Sequence, residues 1–590
     1  MSSSAQSSDP QIKRFKVHLL DYGAGNVRSV RNAIERAGFE VEDVNSASDL
    51  TTPGLVKALV FPGVGAFSAA VEFLDDGRGF RKALLEYINS GRPFMGVCLG
   101  LQLLFDGSEE APGLEGLRII PGMVQRFPPS DFYSVPHMGW NGLTVHGEDI
   151  GLARALRDLS TQGRSKLYFV HSYRAMPSKD NASWVLATSD YGQQRFIAAI
   201  QRKNVFAAQF HPEKSGEVGL NIFNAFLKRA AALTEAEIIP SPIFTAAPGA
   251  DEAALLSISN SQSTLVCRRI VACLDVRTND SGDLVVTKGD QYDVRERASG
   301  DGSRNVRNLG KPVSLCERYY SEGADEVCFL NITAFREGPL EDAPMLAVLE
   351  AASERVFVPL TVGGGIRQYT DPSSGKSYTA LEVASRYFRA GADKVSIGSE
   401  AVIAAEEYFS RGCVADGSTA IEQIAHVYGR QAVVVSIDPK RVYVESAEGD
   451  EECKKIGHVI VEARKPGPKG ERFCWYQCTV KGGREGRPIC AVRLAIAVES
   501  LGAGELLVNC VDNDGQKDGF DEPLIAAVCA RVKIPVVASS GAGSPAHFES
   551  VFKNTRVEAA LAAGIFHRRE VSISEVKTHV HAAGIETRIV

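Results

Sequence analysis

Eight short runs of β-branched and other apolar residues recur between Arg269 and Ala562, each followed by a helix-length stretch. This recurrence limits the second half of the chain more than any other feature. The runs are Arg269 to Val276, Glu326 to Ile332, Val358 to Val362, Lys394 to Ile397, Ala432 to Ile437, Glu505 to Val511, Pro535 to Ala538 and Ala559 to Ala562. Strand alternating with helix requires parallel strands, and eight of them close a (β/α)8 barrel. The barrel is expected over residues 264–590, longer than the roughly 250 residues usual for the fold. The excess collects in polar inserts after strands, chiefly Gln291 to Gly310 and Val442 to Arg487.

The barrel half also repeats itself. Ala272-Cys273-Leu274-Asp275-Val276 is echoed by Val435-Ser436-Ile437-Asp438-Pro439, Gly323-Ala324-Asp325-Glu326 by Gly502-Ala503-Gly504-Glu505, and Gly363-Gly364-Gly365 by Ser540-Gly541-Ala542-Gly543. A duplicated half-barrel sets Asp275 and Asp438 across one mouth, at the strand ends where barrel enzymes work. Paired carboxylates serve as acid and base when their surroundings separate their pKa values. Backbone N–H groups suited to phosphate come from Gly364, Gly365, Gly398 and Ser399 in the first half. In the second half they come from Asn509, Asp514, Gly515, Ser540, Gly541, Ala563 and Gly564. Two such sets suit a long substrate with a phosphate at each end.

Ahead of the barrel, residues 16–233 alternate strand and helix patterns and read as an α/β unit with a parallel sheet. Residues 1–15 are Ser-rich and polar, expected to be disordered, and lack the apolar core of a secretory signal. Residues 234–263 sustain neither periodicity and read as a linker. Within the α/β unit, Gly96-Val97-Cys98-Leu99-Gly100 follows an apolar strand and opens a helical pattern that includes Gln102. This is the thiol form of a nucleophile elbow, where the helix start favours a thiolate. Gln209-Phe210-His211-Pro212-Glu213 supplies an imidazole base and a carboxylate to orient it. Gly63-Val64-Gly65 ends an earlier strand in a turn whose N–H groups can face an oxyanion.

The formal charge of −7, without long blocks of one sign, argues against a nucleic-acid surface, and no 18-residue apolar run suggests a membrane span. The twelve cysteines are sparse and mostly in apolar runs, which points to a reducing compartment. No zinc set forms around Cys474 and Cys478, so neither metal nor cofactor is expected.

Pro62 to Gly65, Gly96 to Gln102, His137 to Asn141, His171-Ser172-Tyr173 and the Gln209 to Glu213 run together resemble class I glutamine amidotransferases, of flavodoxin-like α/β fold. The resemblance implies that Cys98 attacks L-glutamine, His211 moves protons and Glu213 orients His211. It also places His171, Ser172, Tyr173, Gly100 and Gln102 around the glutamine. From Thr264 onward the chain resembles the cyclase barrel of the imidazole glycerol phosphate synthase family, and as a whole the fused form found in plants and fungi. The resemblance implies that ammonia enters the barrel from its N-terminal face and meets a bisphosphorylated aminoimidazole carboxamide ribonucleotide. Asp275 and Asp438 then act as the acid–base pair, and Lys288 holds a phosphate. Arg269, Glu326, Lys394 and Glu505 match the family's ring of charges and are expected to gate ammonia.

Two departures stand out: Asn331 where free-standing bacterial barrels usually carry Asp, and the long insert of Val442 to Arg487. A glutaminase fused to a barrel isomerase and a non-catalytic glutamine sensor are weaker alternatives, because the first has no use for ammonia and the second no need of the intact catalytic residues. A soluble intracellular monomer is expected, in the plastid stroma for a plant chain and the cytoplasm otherwise.

Overall fold

The structure, a computed structural model, describes residues 15–63, 65–146, 152, 154, 156–157, 166–238, 264–278, 284–286, 311–331, 343–370, 375–449 and 451–590. Val64, Lys288, the expected 291–310 insert, the N-terminal segment up to residue 14 and the linker from residue 239 to 263 lie outside them. The chain divides into two compact units, Met1–Val266 and Cys267–Val590.

The first unit is built on an eight-stranded sheet. Its first five strands in spatial order, Glu40–Asp43, Lys16–Leu19, Leu59–Phe61, Phe94–Val97 and Val205–Ala208, are parallel, as the sequence pattern suggests. Beyond them Gln194–Arg202, Val185–Tyr191 and Thr144–Val145 run antiparallel, so the sheet is mixed. The reason is local. Tyr191 pairs with Gln194 and Arg202 with Val205, leaving two-residue turns in which Gly192 and Lys203 adopt positive φ. Such turns join neighbouring strands only as antiparallel hairpins.

The parallel register decides where chemistry can occur. Phe61 lies opposite Gly96, and Ala208 lies opposite Val97. Three neighbouring strands therefore end level with one another, and the segments that follow them, at Gly63, Cys98 and His211, emerge at one edge.

The second unit is a closed barrel of eight parallel strands: Arg269–Thr278, Glu326–Asn331, Leu360–Gly363, Lys394–Ile397, Val433–Ile437, Glu505–Asn509, Val536–Ser539 and Ala559–Ala562. They pair in chain order, and the first closes on the eighth. The first and fifth strands are thus opposite one another. Helices between the strands are ended and started by local chemistry: Thr379 and Thr419 each form a capping box with a Glu three residues on, and Gly391 and Gly502 end their helices in the left-handed conformation.

The period-two alternation of a strand sets the barrel's interior. Arg269, Val271, Cys273 and Asp275 alternate along the first strand. Val271, Cys273, Cys328, Val537, Ala559 and Leu561 form one buried apolar cluster. The Val442 to Arg487 insert folds as an antiparallel sheet in which Phe473–Val480 pairs with Pro439–Val444, Val461–Glu462 and Glu485–Cys490. At the barrel's other end Arg268 N–H donates to the Glu586 carbonyl at 2.8 Å. Asp325 there accepts from Lys577 at 2.6 Å and from Arg588 at 2.8 Å.

Two candidate active sites

Cys98 sits at φ 50° and ψ −100°, a conformation costly for any residue with a Cβ. The surroundings enforce it: Cys98 N–H donates to the Ala208 carbonyl at 2.6 Å, and the turn is wedged between two strands. A Cβ on Gly63 would lie 2.1 Å from the Val97 carbonyl oxygen, and one on Gly100 would lie 2.6 Å from that of Phe61. Only glycine lets the Gly63 segment rest on the elbow.

His211 is 3% exposed, and its Nδ1 lies 2.7 Å from a Glu213 carboxylate oxygen. Burial pushes the imidazole pKa down, but the Glu213 charge and the Cys98 sulfur more than reverse it, leaving it well above the ordinary histidine value. The arrangement favours an imidazolium beside the sulfur. The structure therefore brings Cys98, His211 and Glu213 together.

The residues expected around the glutamine divide more finely than the motif suggested. Gln102 donates to the Tyr173 carbonyl and to Gln209 Oε1, each at 3.1 Å. His171 Nδ1 donates to the same Tyr173 carbonyl at 2.8 Å, so its Nε2 accepts, from His137 Nδ1 at 3.1 Å. Burial holds the His137 pKa well below its usual value and lowers that of His171 to about 3, which keeps both rings neutral in these tautomers. His171 belongs to a buried aromatic layer with Phe127, Phe169 and Phe196, and Tyr173 contributes through its backbone. Ser172 accepts through its carbonyl from Phe127 N–H at 3.1 Å.

Gly63 brings its own carbonyl to the Leu99 N–H at 3.3 Å. That N–H follows Cys98, the position that supplies an oxyanion donor in a nucleophile elbow. Gly65, at φ 147°, leads into the helix Phe67–Asp75.

Two residues went unread in the sequence. Gln209, fully buried, donates to Cys98 Sγ at 3.3 Å, although the Gln-Phe-His-Pro-Glu run pointed only to its histidine and glutamate. Glu110 accepts from Phe67 N–H at 3.2 Å, and burial raises its carboxyl to about 7. An acid in a polar loop carries no sequence signal.

In the barrel, a cavity of about 860 Å³ opens at the C-terminal ends of the strands and is lined by both Asp275 and Asp438. Gly364, Gly365, Gly398 and Ser399 line it from the first half. Asn509, Asp514, Gly515, Ser540 and Gly541 line it from the second half, with Ala563 and Gly564 after the last strand.

The two acids are differently held. Asp438 accepts from Asn509 Nδ2 at 3.1 Å and Ser436 Oγ at 3.3 Å. Asn509 accepts in turn from Ser539 Oγ at 3.2 Å and from the Ser540 hydroxyl. Burial raises the Asp438 carboxyl above the ordinary aspartate value, against the pull of those hydrogen bonds. Asp275 has the Cys273 thiol at 3.8 Å. Asn331 is buried and supports the mouth through its backbone, since its carbonyl oxygen lies 2.3 Å from where a Cβ on residue 364 would be. The insert reaches the site too: Val480, Lys481, Arg484 and Arg487 line the cavity.

At the strand starts, Arg269 donates to Glu326 at 2.8 Å and to Glu505, while Lys394 donates to Glu326 at 2.7 Å and to Glu505 at 2.6 Å. The four alternate in sign and close a buried ring. Burial pushes the Glu505 carboxyl up, but Arg269 and Lys394 outweigh it and hold it below the usual glutamate range. Arg269 and Asp275 lie six residues apart on one inward row, about 20 Å along the strand at 3.3 Å per residue, so the ring sits well beneath the acid. Among the described residues no group of three or more His, Cys, Asp and Glu side chains is placed to hold a metal ion, and no helix is long and apolar enough to cross a membrane.

Comparison with known proteins agrees with both halves. Residues 18–230 match the glutamine amidotransferase class-I family, and residues 269–572 match the histidine biosynthesis protein family. The chain is 53% identical to the chloroplastic imidazole glycerol phosphate synthase hisHF of Arabidopsis thaliana, over 97% of this chain and 89% of that one. It is 51% identical to imidazole glycerol phosphate synthase hisHF of Schizosaccharomyces pombe, over 96% and 98%. The HisF subunit of Haloarcula marismortui is 38% identical over 55% of this chain and 98% of its own. The chain belongs to the bifunctional imidazole glycerol phosphate synthase family of plant and fungal type, which joins a glutaminase to a cyclase of histidine biosynthesis.

Proposed function

We propose that the residues assembled at the two sites divide the work as follows. The Cys98 thiolate attacks the glutamine carboxamide carbon, and His211 gives a proton to the departing nitrogen, releasing ammonia and leaving a thioester. Water, deprotonated by His211, then hydrolyses the thioester to glutamate. Glu213 holds the ring and compensates its charge, and Gln209 steadies the sulfur. Gly63 and Gly65, with Val64 between them, shape the oxyanion site, and its Leu99 N–H becomes available once the Gly63 carbonyl turns away. Gln102 and the Tyr173 carbonyl, with His171 and Ser172 behind them, form the glutamine wall. Glu110 is suited to the substrate's ammonium group.

Ammonia then passes the Arg269, Glu326, Lys394 and Glu505 ring. Above it lies the apolar layer of Val271, Cys273, Cys328 and Leu561, which admits neutral ammonia more readily than ammonium. At the cavity ammonia meets the bisphosphorylated ribulosyl-formimino-aminoimidazole carboxamide ribonucleotide. Its phosphates are held by Gly364, Gly365, Gly398 and Ser399 at one end. Asp514, Gly515, Ser540, Gly541, Ala563 and Gly564 serve the other, and Lys288 is assigned to a substrate phosphate. Asp275 and Asp438 exchange the protons of attack, cleavage and ring closure, yielding imidazole glycerol phosphate and aminoimidazole carboxamide ribonucleotide.

The observation that carries this reading is the common inward row joining a sealed charged ring to a catalytic-type acid. The test is Cys98→Ala. It should lose cyclisation with glutamine and keep it with ammonium salts; turnover of that variant on glutamine alone would contradict the assignment. One polypeptide holding both activities needs no second copy, which supports a monomer. Twelve cysteines, eleven of them buried, fit a reducing compartment such as plastid stroma or cytoplasm.

A further inference from the structure

The mouth of the cavity carries two side-chain clusters that the steps above leave unused. At the second-half end the Glu570 carboxylate lies between two cations: Lys517 Nζ donates to its oxygens at 2.8 and 2.7 Å, and Arg568 Nε donates at 2.7 Å. At the first-half end Glu485 accepts from Lys481 Nζ at 2.8 Å and from Arg487 Nη1 at 3.2 Å. All six residues line the cavity. Each trio borders a turn already assigned to phosphate. A Cβ on Gly564 would lie 2.9 Å from the Arg568 guanidinium, and Lys481 N–H donates to Ser399 Oγ at 3.0 Å.

We propose that these two Lys–Glu–Arg trios are counter-ion sites for the two substrate phosphates, in which Glu570 and Glu485 hold the cations in position until a phosphate takes the carboxylate's place. The proposal rests on the bisphosphorylated substrate of the preceding section, and it gives the insert a task, since Lys481, Glu485 and Arg487 all come from its hairpin.

The physical case is one of competition. A phosphate brings more charge and three strong acceptor oxygens, so it outbids a carboxylate for Lys and Arg. The carboxylate occupies the cations in the empty site, and an incoming phosphate must displace it. The side chains are 23–43% exposed in the second trio, so its ion pairs add little to folding stability. The Arg568 and Lys517 hydrogen bonds hold the Glu570 carboxyl down to about 2, so it is an anion throughout the working pH range. The ends are unequal. Arg487 Nε also donates to Glu406 at 3.0 Å, which sets two carboxylates against two cations in the first trio and one against two in the second. The second end should grip phosphate more tightly.

The experiment measures the ammonium-dependent KM for the bisphosphorylated nucleotide and the inhibition constant of inorganic phosphate. Glu570→Gln removes an anion that repels the incoming phosphate, so both constants should fall about three- to tenfold. Glu485→Gln should act in the same direction and less strongly, because Glu406 remains. Arg568→Gln should raise both. A Glu570→Gln enzyme with both constants unchanged or raised would overturn the proposal while wild-type turnover left the cyclase assignment standing. Absence of wild-type turnover would instead strike the assignment itself.

Discussion

Replacing Glu505 by Gln probes the charged ring at the barrel's base. Glu505 is 1% exposed and accepts from Arg269 and Lys394. Without its charge, two buried cations face Glu326 alone. Breaking a buried pair by removing one partner costs about 3–5 kcal/mol, a large share of the roughly 5–15 kcal/mol that holds a typical domain folded. With a urea dependence of about 3 kcal/mol per molar, the midpoint of the barrel's transition should fall by about 1–1.7 M. Retained ammonium-dependent turnover after equilibration in urea reads this out. The acid response supplies a second check. Because the folded Glu505 carboxyl lies below its unfolded value, its contribution is fully present above the unfolded glutamate pKa and is lost as pH falls through the lower folded one. The gap between wild type and variant should therefore be wide near neutrality and close in acid. A loss under about 1 kcal/mol, the scale of an exposed pair, or a gap indifferent to acid, would refute the reasoning.

Gly63→Ala should cut glutamine-driven turnover at least about hundredfold, in the range of a lost oxyanion donor, because its Cβ would strike the Val97 carbonyl. Ammonium-driven turnover should survive, and its loss would mean that the damage is global. Asn509→Leu removes a hydrogen bond that opposes the effect of burial on Asp438, so that carboxyl should titrate at higher pH still. The acid limb of the ammonium-dependent kcat/KM profile should move upward. A limb that stays in place would detach it from Asp438.

Much of the fold was legible because both periodicities are strong. The eight barrel runs lie at or within a few residues of the observed strands, as with Lys394–Ile397 and Ala559–Ala562. The antiparallel half of the first sheet was not legible, since Lys203-Asn204 looks like an ordinary loop until its positive φ is known. The site residues that could be read sit in contiguous motifs, where a glycine turn or a His-Pro-Glu run announces itself. Gln209 as a partner of sulfur, Glu110 beside the Phe67 helix and the pairing of Lys517 with Glu570 depend on elements brought together across tens or hundreds of residues. The insert likewise reads as polar filler, because its contribution to the cavity comes from one hairpin turn whose neighbours lie elsewhere in the chain.

The hydrogen bond from Arg268 to Glu586 has a topological consequence. The chain enters and leaves the cylinder at one corner, so the eight pairings form a loop with no privileged starting point. A segment continuing from either Arg268 or Glu586 departs from the same face of the cylinder.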